Sequence, residues 1–224
     1  MDSTNKIISN RVKPDPSTTE TTRRRYQRLS TVYDLMEGMM EKRYQPWREK
    51  LWLQVPGLRV LEVGVGTGKN FAFYPAGISI TAIDLTPGML QHAQKRIGEL
   101  TLNQKVKLQL GDVQELDFPN DSFDAAVATF VFCSVPDPVL GLSELKRVVR
   151  PGGRILFLEH MRSPHPTLGA VMDFLNPFVV RMMGANINRA TVENIRKAGL
   201  EIEHVEDLAS GGIFKLIVAR VPTG

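Results

Sequence analysis

Residues 58–68, with the sequence LRVLEVGVGTG, decide the fold of this chain. The first half is a short run rich in branched apolar residues, which is typical of a buried parallel strand. Three glycines follow at positions 64, 66 and 68. Because glycine has no Cβ, the backbone there can turn sharply and a ligand can lie directly on it. The pattern predicts a strand, a ligand-binding turn and the start of a helix.

The spacing of these glycines bears on the class of ligand. Dinucleotide-binding proteins carry the pattern G-x-G-x-x-G. Here the third glycine comes one residue earlier, and Lys69 stands where the dinucleotide pattern has glycine. An acidic residue, Glu62, also precedes the first glycine by two positions. The turn therefore departs from the dinucleotide fingerprint.

The composition fits one α/β domain with a sizeable core, since the chain has 224 residues of which 42% are hydrophobic. There is no run of about eighteen apolar residues and no apolar N-terminal segment, so we predict neither a spanning helix nor a secretory signal. The single cysteine, Cys133, fits a reducing cytosol, and we expect a cytoplasmic protein. The net charge of +4 permits weak attraction to any anionic surface without choosing one.

The chain divides into three predicted parts. Residues 1–21 are polar and are predicted to be disordered, residues 22–56 to form a helical lid, and residues 57–224 to form a domain of alternating strands and helices. The predicted strands and helices of this domain lie near the following positions: strands 58–63, 78–84, 105–110, 123–130, 153–160, 200–207 and 213–220; helices 68–74, 87–99, 137–149 and 191–198. No helix separates the last two strands, so we expect them to pair antiparallel at one edge.

Acidic residues follow the second and third predicted strands. Asp84 ends the second strand sixteen residues after Gly68, where a carboxylate can accept hydrogen bonds from ribose hydroxyls. The third strand ends at Gly111-Asp112, which alone would be an ordinary turn. Dehydrogenases also carry an acid after the second strand. Asp84 therefore does not separate a dehydrogenase from other nucleotide-binding proteins unless the glycine turn and the Gly111-Asp112 turn are considered with it.

Four stretches occur in an order that carries a resemblance: LEVGVGTGKN, AIDLTPGMLQHA, GDVQELDFPNDSFD and SELKRVVRPGGRILFLEH. With them, residues 26–220 resemble the class I S-adenosylmethionine (SAM) methyltransferases. The resemblance implies an α/β, doubly wound seven-stranded sheet of order 3-2-1-4-5-7-6 with the last strand antiparallel, and SAM as cofactor across the carboxyl ends of the first, second and fourth strands. It implies these SAM-binding positions: Glu62, Gly64, Gly66 and Gly68 for methionine, Asp84 for ribose, Leu85, Met89, Asp112 and Val113 for adenine, and Thr129 and Phe130 near the sulfonium.

The predicted lid has apolar residues at positions 26, 29, 33, 36 and 40, the spacing of one helix face. Residues 23–50 also carry eight basic and four acidic groups. One interpretation is a lid that closes over SAM and touches an anionic bilayer, with Tyr26 against the acceptor. The other is a helix docked on the domain with solvated arginines. Both share one periodicity, and the sequence leaves both open.

Four further residues are candidates for binding or chemistry on the acceptor. His160 follows the fifth strand on the ligand side, where it could orient or deprotonate an acceptor or hold the next loop. Tyr33 is a second candidate for assisting proton loss. In the segment 161–190, Asn188 and Arg189 could bind a phosphate or carboxylate, or could be a helix N-cap and a surface arginine. The four histidines lack zinc-ligand spacing, so no metal is expected.

Finer features separate the acceptor families. The lid pattern Y-x-x-L-S-x-x-Y-D, the VPDP stretch and Glu159-His160 resemble the bacterial phosphatidylethanolamine N-methyltransferases. The ubiquinone/menaquinone C-methyltransferases share Tyr33-Asp34 and Trp47-Arg48 but usually have GTGD where this chain has GTGK, and small-thiol methyltransferases share an FCSVPDP-like stretch. The resemblance thus favours a lipophilic acceptor, phosphatidylethanolamine first, with a quinone precursor or small thiol as the alternatives. A peripheral membrane location follows from such an acceptor.

Two other functions are less favoured. The net positive charge keeps open an RNA or protein methyltransferase, but the basic residues cluster in the lid without the alternating aromatic residues of a base-stacking surface. We therefore expect no nucleic-acid partner. A SAM-binding protein without enzymatic activity is the remaining alternative.

Overall fold

Seven strands form one sheet in the computed structural model, which describes residues 12–30, 33–100 and 105–224. The strands are β1 (Arg59–Val63), β2 (Ser79–Asp84), β3 (Lys105–Leu110), β4 (Phe123–Thr129), β5 (Val149–His160), β6 (Glu201–Asp207) and β7 (Phe214–Arg220). The helices are α1 (Pro16–Leu29), α2 (Tyr33–Trp52), α3 (Pro87–Glu99), α4 (Pro138–Val148), α5 (Pro166–Met183) and α6 (Thr191–Lys197).

The order of the strands is β3-β2-β1-β4-β5-β7-β6, which confirms the predicted fold class. The first five strands pair in parallel, and β7 pairs antiparallel with both β5 and β6. The strand order reverses between β1 and β4, and ligands of open α/β sheets bind outside the carboxyl ends of the strands at such a switch point. A ligand site is therefore expected at the carboxyl ends of β1, β2 and β4.

The core lies on both faces of the sheet because successive strand residues point to opposite sides. On one face, Leu61 belongs to a cluster that includes the α4 side chain Leu145; on the other, Val60 belongs to a cluster that includes Leu51 and Trp52 from the end of α2. All five of these side chains are buried. Covering both faces explains why the central strands are almost continuously apolar.

The N-terminal segment differs from the prediction. Helix α1 begins at Pro16, inside the stretch 1–21 predicted to be disordered, because Asp15 caps it by accepting the Ser17 N–H at 2.9 Å. The apolar positions predicted to share one helix face lie on two helices, since α1 ends at Leu29. The Ser30 hydroxyl then donates to the Gln27 carbonyl at 2.8 Å, a local bond that competes with helix continuation.

Three other elements also differ from the prediction. The helix predicted at 68–74 is only a 3-10 turn, Phe71–Phe73. Helix α5 fills most of the segment 161–190, for which no helix was predicted. Strand β5 begins at Val149 and includes the Pro151-Gly152-Gly153 turn, with a shift of its pairing on β4. Gly152 has a φ of 74°, which suits glycine at such an irregularity.

A buried polar network attaches α2 to the sheet. The Arg48 Nη1 atom donates to Asn70 Oδ1 at 2.9 Å, and Arg48 Nε lies 3.2 Å from Glu41 Oε1. Asn70 Nδ2 in turn donates to Glu62 Oε1 at 2.6 Å and to Thr129 Oγ1 at 3.1 Å. One amide side chain thus joins α2 to the ends of β1 and β4.

Replacing Arg48 with alanine should lower the free energy of unfolding by about 3 kcal/mol or more, because Glu41 and Asn70 would each lose a buried partner. Urea denaturation measures the change. Glu49→Ala, on an exposed position of the same helix, is the control and should stay within about 0.5 kcal/mol of the wild type. Equal stability of the two variants would contradict the role given to the network.

Candidate active site

A cleft lies at the carboxyl edge of the sheet, between α1 and the segments that follow β1, β2, β3 and β4. The cleft has about 740 Å³ of empty space, part of which is open to solvent. Its walls are formed by Thr22, Tyr26, Gly64, Gly66, Ile83, Asp84, Leu85, Thr86, Met89, Gly111, Asp112, Val113, Gln114, Thr129, Phe130, Val131, Ser134, Val135 and Pro136. Nine of the eleven predicted SAM-binding residues are among them; Glu62 and Gly68 are not.

The glycine turn serves two purposes. Gly64, Gly66 and Gly68 have φ values of 64°, 56° and 81°, in the left-handed region that favours glycine. A Cβ on Gly68 would overlap the ring of Phe71, so this glycine permits packing below the turn. A Cβ on Gly66 would meet only the Gly64 carbonyl oxygen at 4.0 Å, because Gly66 borders the open cleft. Gly66 thus leaves room for a ligand against the backbone.

Asp84 ties the tip of β2 to the glycine turn. Its Oδ2 atom accepts the Gly66 N–H at 2.9 Å, and its Oδ1 atom accepts the Thr86 N–H at the same distance. Burial raises the pKa of the Asp84 carboxyl above its ordinary value. An ionised carboxylate has about four acceptor positions. Asp84 therefore keeps acceptor capacity toward the cleft that it lines.

Helix α1 lies across the cleft. Its Thr19 hydroxyl donates to Asp112 Oδ2 at 3.4 Å, next to the end of β3. Its Gln27 Oε1 atom accepts the Gly88 N–H at 2.9 Å, at the first turn of α3. Between these two attachments Tyr26 lines the cleft, and burial raises the pKa of its phenol well above the usual range. The helix is docked on the domain and forms one wall of the site.

Glu62 lies beneath the glycine turn instead of in the cleft wall. Its carboxylate accepts hydrogen bonds from Asn70 Nδ2 at 2.6 Å and from the Tyr74 hydroxyl. Burial raises its pKa to about 7. In the structure this side chain supports the turn from below through the network that also holds Arg48.

Glu159 shapes the loop after β4, and the sequence interpretation missed this residue. Its Oε1 atom accepts the N–H groups of Val131 at 2.9 Å and Phe132 at 3.0 Å. The carboxyl is fully buried, and burial raises its pKa to about 8. The adjacent Phe130 has a φ of 57°, an uncommon conformation for a non-glycine residue. The available signal was a carboxylate at the end of an otherwise apolar strand, RILFLEH.

Arg189 is placed outside the cleft walls. Its Nη2 atom donates to the carbonyl oxygens of Cys133 at 3.1 Å and Val135 at 2.9 Å. Its neighbour Asn188 donates to Asp173 Oδ1 at 3.0 Å. In the structure both side chains have protein partners, and Arg189 holds the loop that lines the cleft.

An aromatic cluster adjoins the cleft at the end of β4 and is formed by Tyr44, Trp47, Phe130, His160 and Phe214. The ring of Tyr44 lies 4.9 Å from that of Phe130, and the ring of Trp47 lies 5.2 Å from that of Phe214. His160 stacks on Phe130 at 6.5 Å. Burial, aided by the Arg189 cation, lowers the pKa of His160 to about 4, so the imidazole is neutral at pH 7. The members are half-buried and uncharged.

Three further predictions concern Tyr33, a metal site and membrane-spanning helices. The side chain of Tyr33 lies outside the described residues. Within the described ranges, no three His, Cys, Asp or Glu side chains are arranged to hold a metal ion. In the same part of the chain, none of the helices has the length and apolar character needed to cross a bilayer.

Comparison with known proteins identifies the family. Residues 61–157 match the family described as "Methyltransferase domain". The chain is 32% identical to phosphatidylethanolamine N-methyltransferase of Cereibacter sphaeroides over 87% of its own length and 94% of that protein. It is 31% identical to the ubiquinone/menaquinone biosynthesis C-methyltransferase of Roseobacter denitrificans over 77% and 74% of the two chains. It is 33% identical to the thiol S-methyltransferase of Mus musculus over 70% and 68%.

A methyltransferase of known structure has the same fold. Geranyl diphosphate methyltransferase, solved in complex with GPP and sinefungin, superposes with a TM-score of 0.65 over 79% of this chain and 78% of that one, at 16% identity. This chain belongs to the class I SAM-dependent methyltransferases. It is an enzyme whose cofactor is SAM, and its relatives are named for three different acceptors.

Gly66→Val should lower the affinity for SAM by about a hundredfold or more, because the branched side chain would occupy cleft space against the turn. Titration calorimetry measures the affinity. Gly77→Val is the matched control, since Gly77 has a φ of 82° and open space around it, away from the cleft. Both variants should lose about 1–3 kcal/mol of stability from backbone strain. Unchanged SAM binding by Gly66→Val would contradict the assignment.

Glu159→Ala should lower the free energy of unfolding by about 2–5 kcal/mol, because two buried N–H groups lose their acceptor. Glu159→Gln keeps an amide oxygen and should retain most of that stability. The pKa of Glu159 is raised in the folded state from 4.5 to about 8, so its stabilising contribution is present below pH 4.5 and is lost as the pH rises through about 8. Urea denaturation at pH 5 and pH 9 measures the free energy of unfolding of both proteins. Between pH 5 and pH 9 the wild type should lose more stability than Glu159→Gln, and the opposite trend would contradict this assignment.

Proposed function

We propose that this methyltransferase acts on a lipophilic small acceptor, with the amine of phosphatidylethanolamine as the first choice. The aromatic cluster carries the proposal. Phe130 belongs both to the cleft wall and to the cluster, so the two are continuous. Tyr44 and Trp47 extend the aromatic surface away from the cleft, which suits a lipophilic acceptor.

For the cofactor, we infer that Gly64 and Gly66 lie against the methionine part and that Asp84 accepts the ribose hydroxyls. The remaining cleft residues Leu85, Met89, Asp112 and Val113 would surround the adenine, with Thr129 and Phe130 near the sulfonium. When bound, SAM supplies an electrophilic methyl group on a positively charged sulfur. The chain then has to hold an acceptor in line and exclude water, which can contribute about 7–11 kcal/mol of barrier reduction.

The electrostatics of the acceptor side support an amine that attacks in its neutral form. Burial disfavours the charged ammonium form. The guanidinium groups of Arg43 and Arg48, which lie 5.7 Å from the ring of Trp47 and 5.6 Å from that of Phe130, also repel a further cation, so loss of the proton is favoured. His160 is neutral but weakly basic, with a pKa of about 4. It can accept a hydrogen bond and orient the nitrogen lone pair, while the proton is released to solvent. Tyr33 is the second proposed participant in proton loss.

The relatives support the ranking of acceptors. The similarity to the protein named phosphatidylethanolamine N-methyltransferase extends over 87% of this chain. A flat quinone precursor would also stack on the aromatic cluster, which makes carbon methylation the second candidate. A small thiol is the third, and for it a histidine with a pKa of about 4 would be a poor base. A lipid acceptor would bring the enzyme to a membrane surface.

The purified protein should transfer labelled methyl groups from SAM to phosphatidylethanolamine in vesicles. The same vesicles carrying a demethylated quinone precursor, and a solution of a small alkyl thiol, are the competing acceptors. Identification of the labelled product by chromatography decides among them. Label that enters only the quinone or only the thiol would overturn the first choice and leave the enzyme class unchanged.

Trp47→Ala and Phe214→Ala should each raise the KM for the lipid acceptor by about fivefold to tenfold, because they remove aromatic contact area. The SAM affinity should stay within about twofold, since neither residue lines the cleft. Phe118→Ala is the control, because it removes an aromatic ring that packs on Phe123 away from the cluster. Equal KM values in all three variants would remove the aromatic cluster from acceptor binding.

A further inference from the structure

Helix α5 exposes an unusual number of large apolar side chains. We call Val171, Phe174, Leu175, Phe178 and Met182 the α5 stripe; all five are exposed, Phe174 by 74% and Phe178 by 62%. Successive residues of a helix are about 100° apart, so these five fall within an arc of about 100°. The stripe is therefore one continuous face.

The opposite side of α5 attaches to the domain. Gly169 and Met172 are buried, and the Met172 sulfur accepts the Ser163 N–H at 3.3 Å. The helix ends at Met183 and is capped by Gly184, which has a φ of 81°. Because the packing requirements of α5 are met on this side, the α5 stripe makes no contribution to the core.

The α5 stripe stands beside the cleft. On the attached side of the helix, Asn176 Oδ1 accepts the Ile187 N–H at 2.9 Å. The neighbouring Asn186 N–H donates to the Cys133 carbonyl at 2.8 Å. Cys133 immediately precedes Ser134, a residue of the cleft wall. Helix α5 is thus bonded to the loop that lines the active site.

We propose that the α5 stripe docks on the surface of an anionic bilayer. The charge around the stripe supports this occupant. Arg181 is exposed in the last turn of α5, and a Cβ on Gly184 would overlap Arg25 of α1, so a second cation lies at that end. The acid of the helix, Asp173, is paired with Arg162 at 2.9 Å. An apolar face bordered by cations is typical of helices that lie in a membrane interface.

A second copy of the chain fits the face less well. A stable, specific dimer buries about 800 Å² per partner and about 20–30 residues on each side. Five side chains from one helix fall short of that requirement, whereas a bilayer needs only an apolar strip of helix length. One of the two interpretations of the sequence put membrane contact on the lid. In the structure Tyr26 of α1 faces the cleft, and Arg23 and Arg24 pair with Glu20.

The inference rests on the proposed lipid acceptor for its purpose, but it is tested without turnover. Phe178→Trp is a conservative reporter, because an indole ring remains apolar and moves to shorter emission wavelength in a lipid environment. Vesicles of phosphatidylcholine and phosphatidylglycerol in equal parts should shift the emission of this variant beyond any shift of the wild type, whose tryptophans are Trp47 and Trp52.

The decisive pair of variants is matched in exposure. Phe174→Ser with Phe178→Ser should weaken vesicle flotation by about tenfold or more. Leu53→Ser with Leu58→Ser removes side chains that are 79% and 67% exposed elsewhere on the surface and should leave flotation unchanged. The SAM affinity should be equal in both double variants, which shows that each is folded.

Three results would overturn the inference: no flotation of the wild type, equal flotation of both double variants, or a wild-type dimer in light scattering that only the α5 variant loses. In the last case a second copy occupies the stripe. If flotation depends on the stripe while phosphatidylethanolamine is not methylated, the docking surface stands and the proposed acceptor falls.

Discussion

The amide of Asn70 is the point on which the active-site architecture depends. It accepts a hydrogen bond from Arg48 on α2 and donates to Glu62 on β1 and Thr129 on β4. All of these groups are buried, so none can replace a lost partner with water at little cost. The network is therefore satisfied only when the lid helix and both strand ends are in place. This coupling holds the glycine turn in place at the base of the cleft.

A second buried acid supports the loop after β4 as Glu62 supports the glycine turn. Glu159 holds the loop after β4, in which Phe130 adopts a left-handed backbone conformation. Both carboxyls have raised pKa values because burial disfavours their charge. Glu62 and Glu159 thus act as buried hydrogen-bond acceptors that support the walls of the cleft. Glu62 holds the side chains of Asn70 and Tyr74 in place, and Glu159 holds the backbone N–H groups of Val131 and Phe132.

The sheet order was predicted from the family resemblance carried by four stretches of sequence. The position of the cleft could be predicted because its signals are local. The glycine turn, Asp84 and the Gly111-Asp112 turn each follow a strand directly, and parallel strands bring their carboxyl ends to one edge. Glu159 was missed because its role comes from N–H groups that are 27 and 28 residues away in sequence. Helix α5 was missed because it contains Pro177, a residue that is unfavourable inside a helix, and because its exposed face is apolar where a surface helix is usually polar.

The attachment of α1 has a consequence for the exchange of cofactor and product. No residue of this helix is fully buried, and its bonds to the rims of the cleft run from side chains, Thr19 to Asp112 and Gln27 to Gly88. When α1 swings away, water replaces those bonds and little apolar surface becomes exposed. Such an opening is a low-energy local fluctuation with a small heat-capacity change. An opening of this kind would uncover the cleft while the sheet beneath stays packed.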